Sequence, residues 1–254
     1  MKRHGQRVLD TWINALSWDD ALGQLLVWSA GRESRYVCVC NVHSVVTALH
    51  DSALHAALEG ADLSAADGAP IAWAMRRLGR ATQERISGPD LMWRYLHHAE
   101  QLGQKVFLYG STDETLIRLC NAIQRDFPHI DTPGMLAPPF RMPSAPEDEA
   151  EIAAINNSCA QLVFVGLGCP KQEKWMAEHR GKVNAVMIGV GAAFDFHAGL
   201  KRRAPLWWQH HGLEWLHRLA AEPHRLFRRY LVTNTLFLVG FARQLIMTKL
   251  FPPN

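Results

Sequence analysis

Several features that would make a chain of 254 residues easy to place are missing from this one. The five cysteines, Cys38, Cys40, Cys120, Cys159 and Cys169, are odd in number and never fall as C-x-x-C, which excludes a disulfide framework and a zinc ribbon. Reduced thiols of a cytosolic chain are the expectation. The basic start, MKRHGQRVLDTWINALSW, has no continuous apolar segment, so no signal peptide is expected. No apolar stretch reads as long enough for the ~20 residues that cross a bilayer. No internal repeat occurs. The dinucleotide fingerprint G-x-G-x-x-G is absent: after Gly166 and Gly168, Lys171 stands where the third glycine belongs, which counts against a nicotinamide-dependent oxidoreductase. The order H-E-x-x-H is absent too. His210, Glu214 and His217 share one helical face and read as surface or interface residues. Asp195 and His197 form a pair without a third ligand and read as structural. The formal charge of +3 is ordinary, and no nucleic-acid partner is expected.

What is present is alternation. Apolar runs of strand length, YVCVC (36–40), ADLSAA (61–66), KVFLYG (105–110), QLVFVGLG (161–168) and NAVMIGVG (184–191), are separated by amphipathic segments. Helices are expected over 43–58, about 70–78, from Gly88-Pro89-Asp90 to about Leu102, after Ser111, and from Lys171 to about Arg180. Continuously apolar strands between helices predict a parallel sheet covered on both faces. The proline-rich, acidic stretch 136–150 reads as a surface connection. From Leu206 onward the pattern is helical throughout, broken near Pro223. From Arg218 to the end, five arginines and one lysine stand against a single acid, Glu222. With the apolar run Tyr230–Ala242, this suits a helix lying in a bilayer interface; a core helix with a basic rim is the alternative. The domains are therefore drawn as 1–205, an α/β catalytic unit, and 206–254, a helical basic appendage.

Three junctions carry candidate chemistry. Asp67 closes a strand just before Gly68, where a carboxylate accepts a proton from a bound hydroxyl or merely caps the helix that begins near Pro70. In GLGCPKQEKW (166–175) a strand ends in Gly-x-Gly and a helix starts with Lys171 and Gln172, so Gly168 and Lys171 suit an anion at the helix start. In LYGSTDET (108–115), Gly110 and Ser111 suit a phosphate, or Ser111 and Thr112 cap their own helix. Lys201, Arg202 and Arg203 form a basic loop suited to a diphosphate.

Taken in order, the segments CNVHSVV (40–46), AADGAPIAWAMRRLG (65–79), ERISGPDL (84–91), VFLYGS (106–111), VFVGLGCPKQEKW (163–175), GVGAAFDFHAG (189–199), KRRAPLWW (201–208) and GLEWLHRLAAEPHRLFRRYL (212–231) make the chain resemble the WecG/TagA/CpsF family of bacterial glycosyltransferases. In detail it looks closest to the GumM-type members of xanthan-like exopolysaccharide assembly. The resemblance implies a Rossmann-like core with a membrane-engaging C-terminal appendage, on the cytoplasmic face of the membrane. It implies inverting transfer of a sugar, glucose by the subgroup likeness, from a UDP-sugar to a polyprenyl-diphosphate-linked saccharide. No cofactor or metal is expected, and D-x-D, the usual metal-holding motif of nucleotide-sugar transferases, does not occur. By motif, Asp67 is the implied general base, Gln172 a substrate contact and Arg85 a phosphate contact. Val39 and Val42 replace the family's threonine and proline, leaving Asn41 or His43 to serve there. Arg218, Arg225, Arg228 and Arg229 match basic appendage positions that hold the lipid diphosphate or the membrane. Transfer of N-acetylmannosamine or its uronic acid, and a non-catalytic UDP-sugar-binding scaffold, are the other readings, and a homo-oligomeric partner is left open.

Overall fold

Two strands open the chain that hydropathy did not announce. In the computed structural model, which describes residues 4–131, 134–141 and 143–250, with backbone only for His210 and Arg225, β1 (Gly5–Val8) pairs antiparallel with β2 (Thr11–Asn14). Helix α1 (Trp18–Ala30) follows. Its start is fixed by a reciprocal cap, the Asp20 N–H donating to Ser17 Oγ and the Ser17 N–H to Asp20 Oδ2. Next come β3 (Arg35–Cys40), α2 (Val42–Ala48), α3 (Ser52–Gly60), β4 (Leu63–Ala66) and α4 (Ala69–Arg77). The single helix expected over 43–58 is thus two helices. The chain turns after Leu49, and Asp51 restarts it by accepting the Leu54 N–H at 3.0 Å.

Helix α5 (Gly88–Leu102), β5 (Val106–Gly110), α6 (Asp113–Asp126), β6 (Gly134–Leu136) and α7 (Ala145–Asn157) come next. Strand β6 and helix α7 correct the reading of 136–150 as a connection. The prolines fall in the loop and in the first turn of α7, whose acids favour a helix start, and a Ser144–Glu147 box sets it. The remainder is β7 (Leu162–Gly166), α8 (Lys171–His179), β8 (Val186–Gly189), α9 (Ala193–His197), α10 (Leu206–His210), α11 (Glu214–Ala221) and α12 (Pro223–Leu250).

Six strands form one parallel sheet in the order β4-β3-β8-β7-β5-β6. Alternate side chains of β3 enter opposite cores, as a two-residue period requires. Tyr36, Cys38 and Cys40 pack with α2, α3, α4, α8 and α12. Val37 and Val39 pack with α1, α5, α6 and α9. Both faces are covered, so the strands read as unbroken apolar runs.

Strands β5 and β7 touch where they end. A Cβ on Gly110, whose φ is 119°, would lie 2.7 Å from the Gly166 carbonyl carbon. A Cβ on Gly166 would lie 2.5 Å from the Phe194 ring. Gly166→Ala is expected to cost about 1–3 kcal/mol through overpacking, read as a lowered urea midpoint. An unchanged midpoint would mean that Phe194 has room to retreat.

Helix α12 corrects a second expectation. Leu226–Leu250 is 25 residues and holds an 18-residue stretch with a mean hydropathy of 1.3, long and apolar enough by length and composition to cross a membrane. Its scattered arginines hid that span from a reading for unbroken apolar runs. One side is nonetheless packed on the protein. Phe237 and Phe241 are buried, Trp73 meets Phe241 edge-on, and α12 runs along α2. The Gln244 side chain accepts from the Leu9 N–H and donates to the Arg7 carbonyl, both at 2.8 Å. The other side leaves Phe227, Leu231, Leu238, Val239 and Ile246 exposed.

Candidate functional site

Adjacent strands β3 and β8 send the chain to opposite faces of the sheet, β3 into α2 and β8 into α9. Such a divergence opens a crevice at the carboxyl ends of the strands, where ligands of open parallel sheets bind. Here it is a cavity of about 670 Å³, of a size for a small organic ligand. The starts of α4, α5 and α8 open onto it through Gly68–Pro70, Ser87–Pro89, and Gly168, Cys169 and Gln172. The positive ends of their dipoles favour an anion.

Asp67 sits on the cavity floor. Its N–H donates to the Cys40 carbonyl at 2.8 Å, one residue past the end of β4. Gly68, at φ 78°, then turns the chain into α4, and the cap position is Gly68 with no side-chain cap. The carboxylate therefore does not occupy the cap position of α4, although the Gly68 N–H reaches it. Burial pushes its pKa up to about 6, with Glu214 adding to the rise; Arg85, the Gly68 N–H and Arg218 oppose it. At neutral pH the group is ionised and more basic than an ordinary carboxylate, the state a general base requires.

Arg85 reaches from the loop before α5 into the appendage. It donates to the Gln209 carbonyl at 3.1 Å and to Glu214 Oε2 at 3.2 Å. Glu214 Oε1 meets Arg203 at 3.4 Å, and Arg203 also grips Asp90 through both terminal nitrogens. The expected shared face of His210, Glu214 and His217 does not exist, because the chain breaks between α10 and α11. Glu214 is half-buried in an ion network and lines the cavity instead. Of the basic loop, Lys201 pairs with Asp195 at 2.8 Å and Glu222 at 3.3 Å. Arg202 is exposed and outside the cavity lining. Asp195 and His197 are engaged structurally, His197 stacking on Trp93 at 3.6 Å.

Asn41, His43, Asp67, Arg85, Ser111, Gly168, Gln172, Arg218 and Arg229 all line the one cavity. Asn41 also caps α2, accepting the Ser44 N–H. Burial, with Arg229 nearby, lowers the His43 pKa to about 4, so the ring is neutral at physiological pH. Gln172 accepts the Gly168 N–H at 3.2 Å and donates to Glu173 at 2.9 Å. Ser111, at φ 62°, turns toward the cavity while Thr112 caps α6. Gly110 ends its strand against Gly166, beneath the lining. Lys171 and Arg228 are exposed and outside the lining. The Arg225 side chain lies outside the described residues. Sequence reading passed over Glu173, a fully buried carboxyl whose pKa is raised by burial, and read Glu214 as a surface or interface residue and not as part of the site. Among the described residues no group of three or more His, Cys, Asp or Glu side chains is arranged to hold a metal.

A curated relative from Bacillus spizizenii, an N-acetylglucosaminyldiphosphoundecaprenol N-acetyl-beta-D-mannosaminyltransferase, is 31% identical over 198 residues, covering 77% of this chain and 74% of its own. The match to the family model described as "Glycosyl transferase WecG/TagA/CpsF family" runs over residues 6–250, from the first hairpin to the end of α12. A parallel α/β sheet, an anion-favouring crevice with a free carboxylate at its floor, and a sequence match over nearly its full length agree: the chain belongs to the WecG/TagA/CpsF family of glycosyl transferases.

Proposed function

We propose that the protein transfers a sugar from a UDP-sugar to a saccharide carried on a polyprenyl diphosphate, with inversion and without a metal. The observation that carries this reading is Asp67, a basic carboxylate uncommitted to capping, set among helix starts and arginines. In this mechanism Asp67 accepts the proton of an acceptor hydroxyl as its oxygen attacks the anomeric carbon. The bond from that carbon to the diphosphate breaks on the opposite face, and UDP leaves with the electron pair. The charge that builds on the leaving diphosphate is met by helix-start N–H groups and by Arg85, Arg218 and Arg229. The exposed apolar side of α12, with Arg228 and Arg243 on the same helix, rests on the inner leaflet of the cytoplasmic membrane and brings the site to its lipid substrate.

Glucose is the donor expected from the sequence. The name of the Bacillus relative favours N-acetylmannosamine as a second reading. Transfer to polyprenyl-diphosphate acceptors bearing glucose or N-acetylglucosamine, assayed with a panel of UDP-sugars, anionic vesicles and EDTA, separates the two. Transfer is expected from one donor, and kcat/KM is expected to fall as pH drops through about 6, where Asp67 takes up its proton. Binding of UDP-sugar without transfer to either acceptor would favour the scaffold reading, and inhibition by EDTA would remove the metal-independent mechanism.

A further inference from the structure

The appendage does more than cover the cavity, because it inserts one carboxylate among the site's cations. Glu214 begins α11, the first helix after the break at 211–213. Its two oxygens face different arginines, Oε2 meeting Arg85 at 3.2 Å and Oε1 meeting Arg203 at 3.4 Å. Both guanidiniums belong to the α/β unit as the sequence draws it. Each has a second anchor, Arg85 on the Gln209 carbonyl and Arg203 on Asp90, which is itself held by Ser87 at the start of α5. All four charged side chains are largely shielded, with exposures of 19% for Arg85 and for Glu214, 20% for Arg203 and 35% for Asp90. Shielded charges interact more strongly than solvated ones, and removal of one partner leaves the others uncompensated.

Resting on the reading of Asp67 as base, we propose that Glu214 is a positioning residue for that carboxylate: held between Arg85 and Arg203, it fixes Arg85 at the cavity that Asp67 lines and places an appendage anion in the same cavity. The groups that face Asp67 are few. Arg85 precedes α5, Glu214 and Arg218 sit on α11, and the Gly68 N–H starts α4. Across the cavity, His43 on α2 is neutral at physiological pH, and burial keeps the Cys40 thiol at the end of β3 neutral as well. Glu214 raises the basicity of Asp67 that the two arginines lower.

The test uses the full-length enzyme. The Asp67 carboxyl is titrated by carbon-13 NMR, assigned by its loss in Asp67→Asn, in wild type, Glu214→Gln and Glu214→Asp. Transfer rates are followed against pH in the same proteins, and thermal melts confirm folding. Glu214→Gln keeps the shape and removes the charge, so the Asp67 titration is expected to move down by about one to two units, the size of one charge at several ångströms in a protein-like dielectric. The acidic limb of kcat/KM should follow it. Glu214→Asp retains the charge and should stay close to the wild-type titration. An Asp67 titration unmoved in Glu214→Gln, in a protein that melts as wild type does, overturns the proposal. A titration that moves while the rate limb stays fixed sustains the coupling and removes Asp67 as base, so the two readings fail separately.

Discussion

Asp67→Asn is expected to lower kcat by ~10²–10⁴-fold, the usual contribution of a positioned general base, while UDP affinity stays near wild type. The amide keeps the shape of the carboxylate but cannot take the acceptor's proton. The substitution should not weaken the fold, and the sign can be worked out. The folded-state pKa of Asp67 is about 6 against an ordinary value of 3.8. A group raised in this way stabilises the fold most fully below its unfolded pKa, and that contribution is lost as pH rises through the folded value. At pH 8 the wild-type fold therefore holds an ionised carboxylate that burial disfavours. Asp67→Asn is relieved of it and should melt no lower than wild type at that pH. A loss of activity accompanied by a lower melting temperature would point to a structural role instead, and retained activity would remove Asp67 from the chemistry.

The second large effect is expected at Arg85. It faces Asp67, lines the cavity and ties the loop before α5 to Gln209 and Glu214. Loss of a preorganised charge that stabilises a leaving group typically costs ~10²–10³-fold, and Arg85→Ala should lower kcat/KM by that order. It also removes the largest influence that favours the ionised form of Asp67. The acidic limb of the pH profile should then rise, opposite in direction to the shift expected for Glu214→Gln. Arg85→Lys restores a charge but not the planar fork that reaches two partners at once, so recovery should be partial. Full activity in Arg85→Ala would exclude Arg85 from the site's electrostatics.

The parallel core was legible because its strands are buried on both faces and leave unbroken apolar runs such as Val106–Gly110. The first hairpin was not, since β1 and β2 are four residues each and mix exposed with buried positions. Helix α7 was hidden by its acids and by a proline in its first turn, features shared with loops. The break at 49–51 depends on one capping aspartate within a run that is helical on either side. At the site, the residues at strand ends, Asp67, Ser111, Gly168 and Gln172, could be placed because topology fixes where strand ends go. Glu214 could not, because its partners Arg85 and Arg203 come together only through the packing of α10 and α11 onto the core. Lys171 illustrates the opposite limit. Its position at a helix start suggested an anion contact, yet the first turn of α8 directs it to solvent and Gln172 inward.

Gln244 joins the last helix to the first turn of the chain, across 235 residues from Leu9. A contact of that span cannot form on the ribosome until Gln244 has been synthesised, and closing so long a loop comes late in folding. By then every strand of the sheet has emerged, since β8 ends at Gly189. The order of synthesis thus delivers the longest helix to a surface already able to receive Phe237 and Phe241. An apolar segment of this length made first would present both its sides to chaperones and lipid alike. Made after the sheet, it has one side claimed by the folded core, and only the other stays exposed.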